Sequence, residues 1–478
     1  MGRDRVKRAA IALAVTVSVL VYANALANGF ALDDGGVIVR NPLVTSPAGA
    51  WRAFLLPYWP EALGGGQYRP LGILSFALDW LVSGGDARWF HVMNVVWHAA
   101  ATLLVGVLAA ELLAPVAAGI ATLLFAVHPI HVEAVSNVVG RLEPMAAVFV
   151  LGALLLHRRG SLAAPAVFAL ALLSKESAIV FLGLAAATDI TLERDWRSAV
   201  RVRRWLYTGY GAVVLVYASA LVAVFHDRAF MVPARALAGV TTGERLELAA
   251  RVIPHYVRLL LAPADLSASY APNVISPVAG LSTDTVLGIA VLIVFTIAVA
   301  TVSWRRRWPV MALALAWIPI ALAPVANVFF SSGVLLAERT LYLASVGACL
   351  AAGAVAERFL VARWSLVAAA STSVVLAFGV RTWTRTPAWR DDGTYLLTLL
   401  AEHPESYEAH LTAGRVLNAA NALEQADREL TIARQLFPRD SAVFREAAHV
   451  ADRRGRPAAA SALRDSARIA RTLTLPRR

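Results

Sequence analysis

Long apolar runs recur through most of this 478-residue chain and constrain its fold more than any other feature. A helix of about 20 predominantly apolar residues crosses the hydrocarbon of a bilayer with its backbone groups satisfied internally. Such runs occupy residues 9–27, 90–112, 114–128, 143–157, 161–174, 176–192, 205–225, 284–303, 308–325, 340–357 and 364–380. With 58% hydrophobic and only 16% charged residues, the chain lacks the polar side chains to cover a soluble surface. We therefore predict an all-α integral membrane protein with about eleven transmembrane helices.

Two details of these runs affect the topology. The runs at 143–157 and 161–174 are short, so either is a candidate for a re-entrant segment. The basic residues before the run at 9–27 resemble a signal peptide, but the length of the run and the absence of a clean cleavage site predict a retained first helix.

The net charge of +12 follows the predicted topology. If the N-terminus is cytoplasmic, the short loops on the same side carry Arg158–Arg159, Arg194 to Arg204, Arg305–Arg307, and Arg358 with Arg363. The opposite side receives two long connections, 28–88 and 226–283, which are poorer in arginine. This is the positive-inside pattern, so the charge orients the chain and predicts no nucleic-acid partner.

The composition changes after Trp389, where charged residues become frequent and long apolar runs stop. Residues 386–478 repeat themselves at an offset of 34 residues, with Gly414, Ala426 and Ala433 recurring as Ala448, Ala460 and Ala467. Small residues at this period are typical of tetratricopeptide repeats, although an ordinary pair of helical hairpins is the alternative. We predict a membrane domain at 1–385 and a repeat-like helical tail at 386–478, on the side of the two long loops.

The first external loop opens with Asp33 and Asp34 and later contains Arg69. Carboxylates at a membrane boundary are partly desolvated, which can make one of them a strong base. A solvated turn that marks the membrane exit is the alternative.

The second external turn runs from His128 through His131 and Glu133 to Arg141. Two histidines and a glutamate could supply three metal ligands, but the spacing is loose and no fourth ligand is evident. Because a guanidinium forks onto phosphate oxygens, an anion clamp at Arg141 is the more economical prediction.

The third external cluster is Lys175 with Glu176, in a chain where only two of the 44 basic residues are lysine. A compact ammonium at membrane depth suits a phosphate, whereas a self-neutralising Lys–Glu turn is the alternative. Arg339 follows Glu338 at the start of a later apolar run and adds one more candidate phosphate contact. Four polar clusters at external helix ends predict a single site.

These clusters also carry a family resemblance. The Asp33–Asp34 turn, Tyr68-Arg69-Pro70-Leu71, and the pattern Phe90-His91-x-x-Asn94-x-x-x-His98 resemble bacterial relatives of the eukaryotic transmembrane-and-tetratricopeptide-repeat O-mannosyltransferases. The same is true of His128-Pro129-x-His131-x-Glu133 through Arg141, Ser174-Lys175-Glu176, and Glu338-Arg339-x-Leu341-Tyr342. Each motif is short, but their order and common topology make the resemblance specific.

The resemblance implies a GT-C glycosyltransferase of a bacterial inner membrane that transfers a sugar, for example mannose, from a polyprenyl-phosphate donor on the periplasmic face. The acceptor would be a protein, glycan or lipid hydroxyl, with the tail a candidate contact for it. Asp33 or Asp34 would be the general base, and Lys175, Arg141 and Arg339 would hold the donor phosphate. His128, His131, Glu133, Arg69 and Glu176 would support the site, without a metal or other cofactor. A transporter or flippase, and a non-catalytic repeat-bearing scaffold, are the alternatives.

Overall fold

A computed structural model describes residues 2–474, except 61–64, 227–229, 231–232, 238, 271, 273, 276–281 and 306–307. The last four residues of the predicted tail, 475–478, therefore lie outside the described residues. Over the described residues the α-helices are α1 (Gly2–Leu20), α2 (Pro42–Thr45), α3 (Pro70–Ser83), α4 (Ala87–Leu112), α5 (Pro115–Ala126), α6 (Val132–Ser136), α7 (Leu142–Arg158), α8 (Ala164–Ser174), α9 (Phe181–Leu192), α10 (Trp196–Val202), α11 (Arg204–Phe225), α12 (Thr242–Leu261), α13 (Thr283–Arg305), α14 (Pro309–Leu322), α15 (Tyr342–Arg385), α16 (Asp392–Glu402), α17 (Tyr407–Ala419), α18 (Leu423–Leu436), α19 (Ser441–Arg453) and α20 (Pro457–Thr474). The predicted all-α membrane fold is confirmed.

Six helical segments in the described part of the chain are long and apolar enough to cross a bilayer, and the bent pair Pro115–Ala126 with Pro129–Ser136 could make a seventh. Three further apolar helices, α3, α8 and α14, are shorter than that. The predicted number of eleven passes therefore stays a prediction.

The residues of α15 form one nearly continuous helical segment. This segment folds back on itself, so that α15 is a hairpin of two helices. Its backbone breaks at Arg363, where φ is −145° and ψ is 48°. Tyr342, at its start, bonds His98 Nδ1 at 2.7 Å, and the other nitrogen of His98 bonds the carbonyl of Ala126. Thr382, near its end, donates to the carbonyl of Val127 at 2.8 Å. A straight helix would separate Tyr342 and Thr382 by about 60 Å, so the chain must return, as the two runs at 340–357 and 364–380 predict.

The basic loops meet at one end of the helical bundle. Glu111 accepts hydrogen bonds from Arg158 at 3.0 Å and from Arg159 at 3.1 Å. Glu357 bonds the amide of Ala114 at 3.2 Å. This gathering of loops is the arrangement that the arginine pattern predicts for the cytoplasmic side.

The opposite end of the bundle carries the longer connections. Helix α3 begins at Pro70, whose fixed φ suits a first helical turn. Helix α12 begins with a capping box, in which Thr241 and Glu244 satisfy each other's backbone N–H groups. This 20-residue helix lies within the long connection at 226–283, where no helix is expected from the sequence alone.

The tail contains five helices, α16 to α20, at the same end. Helices α17 and α19 begin at Tyr407 and Ser441, and α18 and α20 begin at Leu423 and Pro457, so both pairs are 34 residues apart. The two hairpins α17–α18 and α19–α20 pack on each other around a small apolar core. Their spacing is that of the predicted repeat.

Candidate functional site

A polar cavity of about 750 Å³ lies between the membrane helices and the tail. Its walls come from the first long loop, the segment before α7, the α8–α9 connection, the segment before α15, and helices α16 and α17. The charged residues that line it are Asp33, Arg69, Glu133, Glu143, Lys175, Glu176, Arg339, Glu408 and Arg415. Of the predicted site residues, the structure thus brings together Asp33, Arg69, Glu133, Lys175, Glu176 and Arg339.

The adjacent carboxylates Asp33 and Asp34 point in different directions. Leu32 before them has a φ of 50°, a left-handed conformation that turns the chain sharply. The side chain of Asp34 is buried, and its two oxygens accept from the amides of Ala31 at 3.0 Å and Val139 at 2.9 Å. Asp34 therefore ties the loop to the segment before α7 and does not line the cavity.

Of the two adjacent aspartates, Asp33 is the one that lines the cavity, and its side chain is accessible. Among the described residues, no hydrogen-bond donor contacts its carboxylate. The surrounding protein raises the pKa of Asp33 by desolvation, while the charge of Arg339 lowers it and the charges of Glu133 and Glu408 raise it. An accessible carboxylate with a raised pKa has the character of a general base.

The three basic side chains of the membrane wall are each paired with a glutamate. Arg69 binds Glu176 through two bonds, Nη2–Oε1 at 2.5 Å and Nε–Oε2 at 2.8 Å. Lys175 pairs with Glu143, and the guanidinium of Arg339 pairs with Glu133. Each cation stands at a helix end: Arg69 before α3, Lys175 after α8, and Arg339 before α15. They are pre-positioned on one wall of the cavity.

The pKa values of two of these cations are shifted in opposite directions. Desolvation lowers the pKa of Lys175, although Glu143 raises it. For Arg69, burial also lowers the pKa, but the bidentate Glu176 outweighs this and the pKa lies above its usual value. Of these two cations, Lys175 is therefore the one that burial makes more costly to keep charged.

Arg141 does not line the cavity. Its guanidinium is fully buried, pairs with Asp79, and lies over the rings of Phe76 and Phe90. It also donates to Asn94 Oδ1 at 2.6 Å. These contacts join α3, α4 and the segment before α7, so the structure gives Arg141 a role in holding helices together and no access to a phosphate in the cavity.

The two predicted histidines are also outside the cavity. His128 bonds the carbonyl of Leu260 at 3.1 Å, and His131 bonds Ser345 Oγ at 2.8 Å. Both rings are buried among aromatic side chains. Within the residues that the structure describes, no three His, Cys, Asp or Glu side chains are grouped to hold a metal ion.

Several cavity residues are missed by the sequence reasoning. Glu143 lies at the start of an apolar run, and its presence there is explained only by its ion pair with Lys175. Tyr58 and Trp59 lie in a loop with no motif, yet the ring of Tyr58 packs under the guanidinium of Arg69 at 5.0 Å. Glu408 stands in the tail, far from the other residues in sequence, and no local signal marks it.

An apolar groove of about 1490 Å³ adjoins the polar cavity. Helices α12, α13, α14 and α15 form it, and its lining is almost entirely hydrocarbon. The segment 322–328 contributes to both spaces: Leu322, Ala323, Ala326 and Val328 face the groove, whereas Pro324 and Val325 face the cavity. The segment 322–328 therefore borders both spaces.

Comparison with curated sequences finds relatives that are named protein O-mannosyl-transferases. The chain is 25% identical over 446 residues to a protein O-mannosyl-transferase of Caenorhabditis elegans, covering 89% of this chain and 62% of that protein. It is 25% identical over 519 residues to protein O-mannosyl-transferase TMTC3 of Homo sapiens, covering 90% of this chain and 55% of that protein. A 139-residue segment is 42% identical to Tmtc2 of Drosophila melanogaster, covering 28% of this chain and 15% of that protein. The chain thus spans little more than half the length of the first two relatives.

No protein-family model matches the chain. No solved structure matches it either.

Proposed function

We propose that this chain, a relative of the transmembrane-and-tetratricopeptide-repeat protein O-mannosyl-transferases, is a membrane glycosyltransferase. It transfers a sugar from a polyprenyl-phosphate carrier to a hydroxyl group. The observation that carries this proposal is the polar cavity, where the accessible Asp33 shares one space with Lys175, Arg69 and Arg339. The activity for which the relatives are named and the adjoining apolar groove support the same chemistry.

Asp33 is the general base of the proposed reaction. The acceptor hydroxyl attacks the anomeric carbon of the donor sugar, its proton passes to the carboxylate of Asp33, and the bond to the phosphate oxygen breaks. General-base catalysis of this kind typically contributes about 10²–10⁴-fold to a rate. Asp34 supports the loop and does not take part, because both of its oxygens already accept backbone N–H groups.

Lys175, Arg339 and Arg69 stabilise the leaving lipid phosphate. Charge develops on the phosphate as the sugar leaves, and fixed cations in a water-poor site stabilise such charge strongly. The paired glutamates Glu143, Glu133 and Glu176 keep the cations in place before the donor arrives. Arg141, bound to Asp79, has no part in this step.

The apolar groove receives the polyprenyl chain. Its hydrocarbon lining and its position beside the cavity let a lipid tail lie among the helices while its phosphate reaches Lys175. In this proposal the donor is bound at the periplasmic face of a bacterial inner membrane, with the N-terminus in the cytoplasm and the repeat-like tail outside it.

Purified protein in lipid, given labelled polyprenyl-phosphate sugars, tests the proposal. We expect release of the labelled sugar by hydrolysis or transfer, with Asp33→Asn and Lys175→Ala reducing the rate and Arg88→Gln, an exposed arginine outside the cavity, leaving it unchanged. If the wild type neither transfers nor hydrolyses any donor of a panel that includes mannose and glucose, the proposed function is wrong.

A further inference from the structure

Two buried side chains of the polar cavity hold a polar atom that has no hydrogen-bond partner. Among the described residues that line the cavity, these atoms are Asn137 Oδ1 and Trp389 Nε1. The two residues are only 3% and 2% exposed. Buried polar atoms in folded proteins are nearly always paired, because an unpaired one loses its bonds to water without replacement. A ligand in the cavity is therefore the expected source of both partners.

Trp389 lies beside the loop that carries Asp33. It is the last residue of the short helical turn that follows α15. The carbonyl of Arg390, the next residue, accepts from the amide of Gly29 at 2.8 Å. The amide of the residue directly before Asp33 donates to Asp392 Oδ1 at 2.6 Å. These bonds fix the turn of Trp389 against the same loop as the proposed base.

Asn137 lies on an adjoining segment of the cavity wall, between α6 and α7. Its backbone carbonyl accepts from Asn94 Nδ2 at 3.0 Å, so the backbone is fixed at this position. The hydroxyl of Ser136, directly before it, donates to Thr386 Oγ1 at 3.5 Å. Thr386 belongs to the same turn as Trp389. The two unpaired atoms therefore stand on segments that touch each other.

Hydroxyl groups are the partners that suit both atoms. An indole N–H only donates and an amide oxygen only accepts, whereas a hydroxyl does both. If the amide of Asn137 is turned, its NH₂ group takes the place of the oxygen, and a hydroxyl still satisfies it. A sugar ring presents several hydroxyls at fixed positions around a compact body, so one sugar can satisfy both residues.

A second tryptophan of the same cavity shows the contrast. Trp59 also lines the cavity, but its indole N–H already donates to Gln67 Oε1 at 3.1 Å. The basic side chains of the membrane wall are likewise paired, each with a glutamate. The unpaired N–H of Trp389 is therefore a property of its position, and not of tryptophans in this cavity generally.

We propose that Trp389 and Asn137 form the sugar subsite of the donor, where hydroxyls of the transferred hexose pair with the indole N–H and the side-chain amide. This inference rests on the proposed function and assigns the residues that select its sugar. The sugar must lie between Asp33 and the cations, because its anomeric carbon is bonded to the donor phosphate and is attacked by the acceptor. The two residues then favour sugars that carry hydroxyls at the paired positions.

The test measures how strongly the enzyme discriminates against donors that lack one hydroxyl. The donors are the better substrate of polyprenyl-phosphate mannose and polyprenyl-phosphate glucose, and its four monodeoxy analogues. We expect the wild type to use at least one analogue about tenfold or more poorly in kcat/KM, because a missing hydroxyl leaves a buried group of the site unpaired. Trp389→Phe and Asn137→Leu should each reduce that discrimination to about threefold or less.

This ratio is independent of how much of a variant folds, because both rates come from one preparation. Phe at position 389 also keeps a ring against Tyr395, whose centroid lies 5.3 Å from that of Trp389. Trp59→Phe is the matched control: it makes the same change in the same cavity, and should leave the discrimination at the wild-type value. Trp51→Phe, at an exposed position outside the cavity, should change neither rate nor discrimination.

A second readout does not depend on turnover. Equilibrium binding to Asp33→Asn is measured for the same polyprenyl-phosphate sugar and for polyprenyl methyl phosphate, a diester of equal charge without a sugar. We expect the sugar-bearing lipid to bind about tenfold more tightly. Adding Trp389→Phe to Asp33→Asn should reduce this difference to about threefold or less.

The outcomes separate the two proposals. If the wild type releases the sugar but Trp389→Phe and Asn137→Leu keep its full discrimination, the subsite is wrong and the glycosyltransferase stands. Equal use of all the deoxy analogues by the wild type also overturns the subsite, since water alone then pairs with the two atoms. If the wild type uses no donor, the proposed function itself fails, whereas tighter binding of the sugar-bearing lipid that Trp389→Phe abolishes would still support the subsite.

Discussion

The neighbouring residues Asp33 and Asp34 should respond in opposite ways to the same substitution. Asp34→Asn replaces a carboxylate that accepts from two amides, those of Ala31 and Val139, with an amide group that has only one acceptor oxygen. The buried N–H of either Ala31 or Val139 then faces the NH₂ group of the new side chain, which is itself a donor. Leaving a buried donor unsatisfied costs about 1–3 kcal/mol, so we expect the free energy of unfolding to fall by that amount.

Asp33→Asn should leave stability close to that of the wild type, because no described donor contacts its carboxylate. We expect the rate of sugar transfer per folded molecule to fall by about 10²–10⁴-fold, as loss of a general base predicts. The assay is denaturant unfolding in mixed micelles alongside labelled-donor turnover of both variants. A stable but inactive Asp34→Asn, together with a fully active Asp33→Asn, would show that Asp34 and not Asp33 is the base.

The pH dependence of stability gives a further check on Asp34. Burial raises the pKa of Asp34 to about 7. The amides of Ala31 and Val139 oppose this rise, and the charge of Asp33 adds to it. The folded protein therefore binds a proton at Asp34 more readily than the unfolded chain between about pH 4 and pH 7. This contribution to stability is present at low pH and is lost as the pH rises through about 7. Asp34→Asn should remove that dependence, and unfolding curves at pH 5 and pH 8 measure it.

Three further predictions concern other parts of the molecule. Lys175→Ala should lower kcat/KM for the donor by about 10²–10³-fold, as removal of a fixed charge from a developing anion does, measured by initial rates against donor concentration. Arg141→Met removes the cation that pairs with the buried Asp79 and should reduce the free energy of unfolding by about 3–5 kcal/mol. The donor KM of the folded fraction should be unchanged, and a raised KM would return Arg141 to the site. Gly414→Ala places a Cβ against Leu430 and should destabilise the tail by about 1–3 kcal/mol, seen as faster proteolysis between α17 and α18.

Much of the membrane fold is predictable because long apolar runs indicate directly which segments lie in the hydrocarbon of the membrane. The two runs at 340–357 and 364–380 correspond to the halves of α15, which turn at Arg363. The 34-residue offset likewise matches the starts of the tail helices. Helix α12 is missed because charged residues interrupt its apolar positions, although the capping box at Thr241 is a readable start signal.

The site is predictable as a set of regions, but less so as a set of side chains. Helix-end motifs bring Lys175 and Arg339 to one cavity, as expected of polar residues at the same membrane face. Which of two adjacent aspartates faces the cavity depends on the left-handed turn at Leu32 and on amides elsewhere in the chain. The position of Arg141 depends in the same way on Asp79, a partner that no local pattern identifies. Such contacts come from tertiary packing.

Mass spectrometry of an acceptor after incubation with a polyprenyl-phosphate sugar detects the proposed transfer reaction itself. We expect the wild type to add the mass of one sugar to a Ser- or Thr-containing peptide or protein, and Asp33→Asn, folded normally, to add none. Sugar addition at the wild-type rate by Asp33→Asn, or no addition and no donor hydrolysis by the wild type across the donor panel, would contradict the proposal.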